Sequence, residues 1–270
     1  MTAPLALRTK VAGVEFSGAK NAGRAIWIAE GERTPYGVSI DRVTRAEDLP
    51  GGGATFAPAM TALVDHVSSL TESVVGFDFP FSLPKPLITQ RSWTAFARHF
   101  ADAYPEPDTF REACRTASGG RELKRRCDVD ARVPWCAYNL RLYRQTWAGI
   151  RHVLWPLARD GRARIVPMQE IAHERPMIAE ICPASLLKRE GLYAPYKGRG
   201  DALRDARANI LKSLTARGVL SPVRGKLRAT ILDNPGGDAL DAVLAAVGAA
   251  RMDDPAPRDA LDRIEARIWF

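Results

Sequence analysis

The sequence predicts an α/β fold in which helices flank a mixed β-sheet. Three short apolar runs between residues 11 and 43, joined by turn-rich links, have the spacing of an antiparallel meander. A helical pattern over Thr55–Leu70 then leads into another apolar run, Val74–Asp78, which we expect to lie parallel in the same sheet. The chain has 270 residues and is 46% hydrophobic, which suits one large domain spanning residues 1–270.

The first half of the domain is predicted to begin with strands Val11–Phe16, Arg24–Ala29 and Tyr36–Val43. Pro50–Gly53 breaks the chain before the first long helix. That helix is indicated by apolar residues at helical spacing: Met60, Leu63, Val64, Val67 and Leu70.

Residues 85–170 are predicted to form a large, mainly helical and basic insertion. Its candidate helices are Ser92–Tyr104, Asp108–Arg115 and Tyr138–Leu157. The Trp and Tyr residues of the last stretch could stack on bases, but their helical spacing favours packing on the main sheet. Strand patterns resume at Arg162–Met168 and Pro176–Ile181. The predicted elements that follow are helices and an edge strand: Ala202–Arg217, Arg224–Leu232, Asp238–Ala250 and Ile264–Phe270.

The net charge of +8 is concentrated in the insertion. Residues 85–170 contain 16 Lys and Arg against 9 Asp and Glu, whereas the rest of the chain is nearly balanced. Such a distribution is typical of a protein with a polyanionic partner such as DNA or RNA. A solvated, arginine-rich helical face explains the charge equally well.

The cysteines and the apolar runs of the sequence indicate in which cellular compartment the protein is expected. The four cysteines form no CxxC pair, so we expect reduced thiols and no zinc site. No apolar run approaches the roughly 18 residues of a membrane span, and the apolar core of residues 1–13 is too short for a signal peptide. The expectation is therefore a cytoplasmic protein with no membrane partner.

Four acids interrupt apolar segments: Glu15, Asp78 and Glu180 in predicted strands, and Asp241 in a predicted helix. A buried, unpaired carboxylate is strongly disfavoured, so each needs a cationic partner. Any one of them could pair with an arginine. Four in four separate elements favour convergence at one end of the sheet, where a divalent ion would relieve their repulsion. Oxygen ligands without His or Cys favour Mg²⁺ or Mn²⁺.

Asp238 lies three residues before Asp241 and shares its helix face. An acid at a helix N-terminus is also favoured by the helix dipole, which is the simpler interpretation for Asp238.

Several motifs resemble a bacterial and archaeal family of uncharacterised, predicted RNase H-like nucleases. The matching stretches lie in order along the chain: GVEFSGAKNAGRAIWIA at 13–29, VVGFDFPFSLP at 74–84, RRCD at 125–128, LYRQTWAGI at 142–150, AEICPAS at 179–185, APYKG at 194–198 and GGDALDAVLAAVGA at 236–249. The resemblance implies a five-stranded mixed sheet whose first three strands are antiparallel, followed by a final acid-bearing helix.

The resemblance also implies site residues. Acids on the central strands and the last helix of such nucleases bind a pair of metal ions, which here assigns Glu15, Asp78, Glu180 and Asp241, with Asp238 as an accessory ligand. The first acid of the family is usually Asp, whereas this chain has Glu15. Glu15 could bind metal through a shifted backbone, or the activity could be reduced, because an error of about 1 Å can cost roughly a hundredfold in rate.

Three basic residues are candidates for phosphate contacts: Lys20, Arg126 and Lys197. Exposure to solvent is the simpler interpretation of each lysine taken alone, and Arg126 could instead pair with Asp128.

Three functions follow from these observations. The first is a Mg²⁺- or Mn²⁺-dependent nuclease that hydrolyses DNA or RNA by two-metal chemistry. The second is a nucleic-acid-binding or scaffold protein of the same fold whose metal site has decayed. The third is an ATP-dependent phosphotransferase of the sugar-kinase and actin type with residues 16–23 as its nucleotide loop. That fold normally needs two copies of the core, and the sequence indicates one.

Overall fold

The structure, a computed structural model, describes residues 8–270, which include a single β-sheet of seven strands. The strands are β1 (Lys10–Glu15), β2 (Trp27–Thr34), β3 (Gly37–Arg45), β4 (Val74–Asp78), β5 (Arg164–Ile165), β6 (Met177–Ile181) and β7 (Ile268–Trp269). Their spatial order is β3-β2-β1-β4-β6-β5, and β7 also pairs with β6.

The sheet is mixed. Strands β1 to β3 form an antiparallel meander, β4 lies parallel to β1, and β6 lies parallel to β4. The predicted α/β fold with a mixed sheet is therefore confirmed. The sheet has seven strands instead of five because two short strands pair with β6: β5 along its first half and β7 along its second.

Twelve α-helices occur in residues 8–270: α1 (Ala22–Ala25), α2 (Phe56–Ser69), α3 (Trp93–Ala103), α4 (Pro107–Ala117), α5 (Arg126–Asp130), α6 (Tyr143–Gly149), α7 (Trp155–Arg159), α8 (Pro183–Arg189), α9 (Asp201–Ala216), α10 (Gly225–Leu232), α11 (Asp238–Ala250) and α12 (Asp262–Glu265). A single π-helical turn, Ile150–Leu154, joins α6 to α7. No helix among the described residues is both long and apolar enough to cross a membrane.

Two expected strands differ from the structure. The pattern at Arg24–Ala29 predicts a strand, but its first residues close the short helix α1 and β2 begins only at Trp27. Strand β2 then continues past Gly31, where the sequence predicts a link, because one extra residue on β3, Asp41, bulges out of the register and Gly31 stays paired with Ile40. The final edge strand is shorter than the predicted 264–270, because α12 takes up part of that segment.

The two faces of the sheet are covered by different helices. Val14, Phe77 and Ile178 pack in one core with α2 and with helices of the 85–170 segment. The aromatic stretch between residues 138 and 157 contributes Ile150 and Leu154 to this core, as its helical spacing predicts. Val11 and Ala29 face the opposite side, where α8 to α11 pack.

Helix α11 lies unusually close to the sheet because glycines replace side chains beneath it. A Cβ on Gly13 would lie 2.1 Å from both the Ala242 carbonyl oxygen and the Ala246 amide nitrogen. A Cβ on Gly76 would lie 2.6 Å from the Ala245 carbonyl oxygen. Because backbone cannot yield at such distances, only glycine permits this packing. The start of α11 is thereby held beside the carboxyl ends of β1 and β4.

Candidate functional site

The site begins with two carboxyl groups at the ends of neighbouring parallel strands. Glu15 ends β1 and Asp78 ends β4, and the two residues are directly opposite in the register. Alternation along the strands places both side chains on the face of Gly13 and Gly76, which is the face covered by α11. The two carboxyl groups are close enough for the charge of Asp78 to raise the pKa of Glu15.

Asp241 joins these groups from the first turn of α11. It is buried, and its carboxylate is held by two neighbours from the loop after α8. The Tyr196 hydroxyl donates to Oδ1, and the Lys197 ammonium lies 2.6 Å from Oδ2. Three of the four predicted acids, from β1, β4 and α11, therefore meet at one end of the sheet.

Glu180 differs from the other three predicted acids, because its side chain leaves the sheet on the opposite face, although it lines the same cavity. The register pairs Glu180 with Phe77, one residue before Asp78. A shift of one residue along a strand reverses the face on which the side chain projects. Glu180 therefore lies on the face of Phe77, and Ile181 lies on the face that carries Asp78 and α11.

On that face Glu180 is bound by the fully buried Arg125. The two guanidinium Nη atoms donate to its two carboxylate oxygens over 2.6 and 2.7 Å, and the Phe81 amide donates to Oε2 over 2.9 Å. Arg125 also bonds Asp128 over 2.6 Å. We call Arg125, Asp128 and Glu180 the arginine clamp. It connects the 85–170 segment to β6, and it leaves Glu180 with a full set of partners.

The other predicted residues divide between the site and its surroundings. Lys197 belongs to the site through Asp241. Asp238 is the first residue of α11 and is partly buried, and Gly237 precedes it as the N-cap. Arg126 is engaged elsewhere, by ion pairs of 2.5 Å with Asp259 and with Asp262.

Lys20 is exposed in the loop after β1 and does not line the cavity described below. Neither Lys20 nor Arg126 lines the cavity that contains the three acids.

Burial raises the pKa of all three acids, and repulsion from neighbouring carboxylates adds to the rise for Glu15 and Asp78. Burial and the nearby Asp241 raise the pKa of Asp78 to about 7. Burial, then Asp241 and Asp78, raise the pKa of Glu15 well above its usual range. Burial also raises the pKa of Asp241, although Lys197 opposes that rise. The site therefore retains protons that three separate carboxyl groups would have lost at neutral pH.

These shifts predict how stability depends on pH. Asp78 has an ordinary pKa near 3.8 when unfolded and about 7 when folded, so the folded chain binds the proton more tightly. Stability in EDTA should fall as pH rises from about 4 to about 7. Asp78→Asn, which mimics the protonated acid, should melt at a higher temperature than the wild type near pH 8. The control is Asp205→Asn on the exposed side of α9, which should behave as wild type. Equal destabilisation by Asp78→Asn at about pH 5 and about pH 8 would contradict these pKa directions.

The three acids lie at the base of an open cavity of about 670 Å³. Its walls come from the 125–145 segment on one side and from residues 180–197 on the other. Gln145 lines the wall and donates from its side-chain amide to the Asp78 carbonyl, which fixes the end of β4. Volume and concavity suit a ligand of small-molecule size or one segment of a polymer.

The donor atoms suit a divalent cation. Glu15 Oε2 is buried without a hydrogen-bond partner, which is costly for a carboxyl oxygen unless a cation meets it. Carboxylate oxygens are the ligands that Mg²⁺ and Mn²⁺ favour. As the side chains stand, however, no group of three His, Cys, Asp or Glu within residues 8–270 is set to hold an ion. Tyr196 and Lys197 each contact one oxygen of Asp241, so an ion bound there would lie beside the Lys197 ammonium and would repel it from Asp241.

Sequence reasoning missed Arg125, Gln145 and Tyr196. Each acts across the fold, on Glu180, on Asp78 and on Asp241 respectively. All three lie within stretches that carry the resemblance, RRCD, LYRQTWAGI and APYKG, which were the available signal. The four cysteines are free and buried in the structure.

Comparison of this chain with family models, with curated proteins and with solved structures yields no match.

Proposed function

We propose that the chain is a divalent-metal-dependent nuclease with an RNase H-like core that hydrolyses phosphodiester bonds of DNA or RNA. The observation that carries this proposal is the meeting of Glu15, Asp78 and Asp241 at the base of an open cavity, with Glu15 Oε2 lacking a partner. Three acids contributed by three separate elements have no structural need to meet, and their repulsion destabilises the fold.

The topology supports the same proposal. Strands β3-β2-β1-β4-β6 contain an antiparallel trio followed by two strands parallel to β1, and α11 adds an acid late in the chain. This arrangement agrees with the core that the sequence resemblance implies. The residues that would hold the ion are Glu15, Asp78 and Asp241.

A bound ion supplies a Lewis acid for the phosphoryl oxygens and lowers the pKa of a water molecule. The protein's own groups prepare the site. Gln145 fixes the end of β4, and Tyr196 orients Asp241 through its hydroxyl. Lys197 neutralises Asp241 in the absence of an ion, and about half of its side chain is exposed. Once it leaves Asp241, the ammonium can contact a substrate phosphate in the same cavity.

Glu180 holds no ion in this proposal. Its role is to neutralise Arg125 and so to anchor the 125–130 segment that forms one wall of the cavity. The carboxylate that was predicted as a fourth ligand is therefore structural.

One observation favours the alternative of a nucleic-acid-binding protein without catalysis. The Lys197 ammonium already meets Asp241 at 2.6 Å and could serve as a permanent replacement for a metal ion. In that case nucleic acid would bind equally well with and without EDTA, and no strand would be cut. The phosphotransferase alternative gains no support, because residues 8–270 contain one copy of the core sheet.

Cleavage of labelled oligonucleotides separates these functions. We expect product in Mn²⁺ or Mg²⁺, none in EDTA, and higher activity above about pH 7, where Asp78 is ionised. The substrates should include single-stranded and duplex DNA and RNA. Intact oligonucleotide on all four, with metal present and the protein folded, would contradict the proposal.

A further inference from the structure

Three aromatic rings around the cavity each carry a cation. The Arg141 guanidinium lies 4.9 Å from the Trp135 ring centre, the Lys188 ammonium lies 5.2 Å from the Tyr193 ring, and the Lys197 ammonium lies 5.9 Å from the Tyr196 ring. All six residues line the cavity. We call Trp135, Arg141, Lys188 and Tyr193 the rim, because Tyr196 is buried at the acid group.

The rim has two sides with the acids between them. Trp135 and Arg141 precede α6 and belong to the 85–170 segment. Lys188 lies in the last turn of α8, and Tyr193 lies in the loop that follows it. Tyr193 is 58% exposed, which is unusual for a large ring and is not required by packing in the core.

Charge is segregated by depth in the cavity. Among the lining residues of the described chain, the exposed charged ones are all cations: Arg141, Lys188 and Lys197. The lining acids are buried or partly buried: Glu15, Asp78, Asp128, Glu180 and Asp241. A ligand entering this cavity therefore meets positive charge and aromatic surface first, and reaches the acids last.

We infer that the rim binds an unpaired nucleic-acid strand, with bases stacked on Trp135 and Tyr193 and backbone phosphates near Arg141 and Lys188. Aromatic rings recognise the faces of bases, and those faces are covered by neighbouring bases in a duplex. A groove that bound a duplex through its phosphate backbone would need only cations, and exposed rings would have no role in it. The inference rests on the proposed function in one respect only, namely that the bound strand leads toward the acids.

Binding is measured by fluorescence anisotropy in EDTA, so that no cleavage is required. The probes are a short labelled DNA strand, its RNA counterpart and the blunt DNA duplex. We expect the single strands to bind at least about tenfold more tightly than the duplex, with affinity that falls as salt rises. Trp135→Ala and Tyr193→Ala should each weaken single-strand binding by roughly 5- to 100-fold.

The control variant is Tyr36→Ala, which removes an even more exposed ring from the turn between β2 and β3. It should bind every probe as the wild type does. Because Trp135 is partly buried, thermal melting checks its fold, and Arg141→Gln provides a second rim variant that removes charge from the surface. Equal affinity for strand and duplex, or wild-type binding by Tyr193→Ala and Arg141→Gln, would overturn the inference.

The two proposals fail separately. Single-strand binding through the rim with no cutting in Mn²⁺ would refute the nuclease and leave the rim in place. Cutting in Mn²⁺ that Tyr193→Ala and Arg141→Gln leave unchanged at low substrate concentration would refute the rim and leave the nuclease in place.

Discussion

Asp78→Asn should reduce metal-dependent cleavage at least about a hundredfold. Loss of an outer-shell partner of a metal ligand already costs about 10- to 100-fold, and Asp78 is proposed to touch the ion itself. The amide keeps the size of the side chain but removes the negative charge that attracts the cation. Because burial and Asp241 raise the pKa of Asp78, the asparagine variant should fold at least as well as the wild type above about pH 7.

The matched comparison is Glu180→Gln, which changes an acid on the other face of the sheet. It should lower stability by disturbing the arginine clamp, yet Mn²⁺ should still raise its melting temperature. Asp78→Asn should show the opposite pair of results: a stable fold and little response to Mn²⁺. Cleavage by Asp78→Asn within a few-fold of wild type would show that this carboxylate does not bind a catalytic ion.

Arg125→Met should destabilise the fold by about 3–5 kcal/mol, the usual cost of removing one partner from a buried ion pair. Arg125 is 0% exposed, and its replacement leaves Glu180 and Asp128 buried without their cation. The carbonyl of Glu265 also loses a donor. Urea denaturation at neutral pH measures the change in the free energy of unfolding.

Arg204→Met is the control for Arg125→Met. Arg204 lies on the surface of α9 and pairs with Asp233, which follows α10, and such an exposed ion pair contributes little to stability. The triple change Arg125→Met, Asp128→Leu and Glu180→Leu should recover part of the lost stability, since it removes all three buried charges of the arginine clamp. A loss in Arg125→Met no larger than in Arg204→Met would mean that Glu180 finds another partner.

Much of the architecture could be predicted because it depends on the spacing of apolar residues within short segments of the sequence. The meander, the strand that ends at Asp78 and the apolar helix that carries Asp241 all have clear periodicity. Their acids could also be placed at one end of the sheet, because parallel strands end at the same edge. Three of the four acids do meet there.

The position of Glu180 could not be predicted, because it depends on the register of β6 against β4. Periodicity shows that a residue lies in a strand, but a shift of one residue decides which face receives its side chain. The partner of Glu180 is equally hidden: Arg125 lies 55 residues earlier in the chain. The contact between Lys197 and Asp241 likewise joins a loop to a helix that is distant in sequence.

The measurement that tests the proposed site most directly is anomalous diffraction at the manganese edge from crystals soaked in Mn²⁺ above about pH 7. We expect a manganese peak among Glu15, Asp78 and Asp241, with the Lys197 ammonium moved away from Asp241 and with Glu180 still bound to Arg125. A fully soaked crystal that shows no peak there, with Lys197 still on Asp241, would contradict the metal site and with it the nuclease.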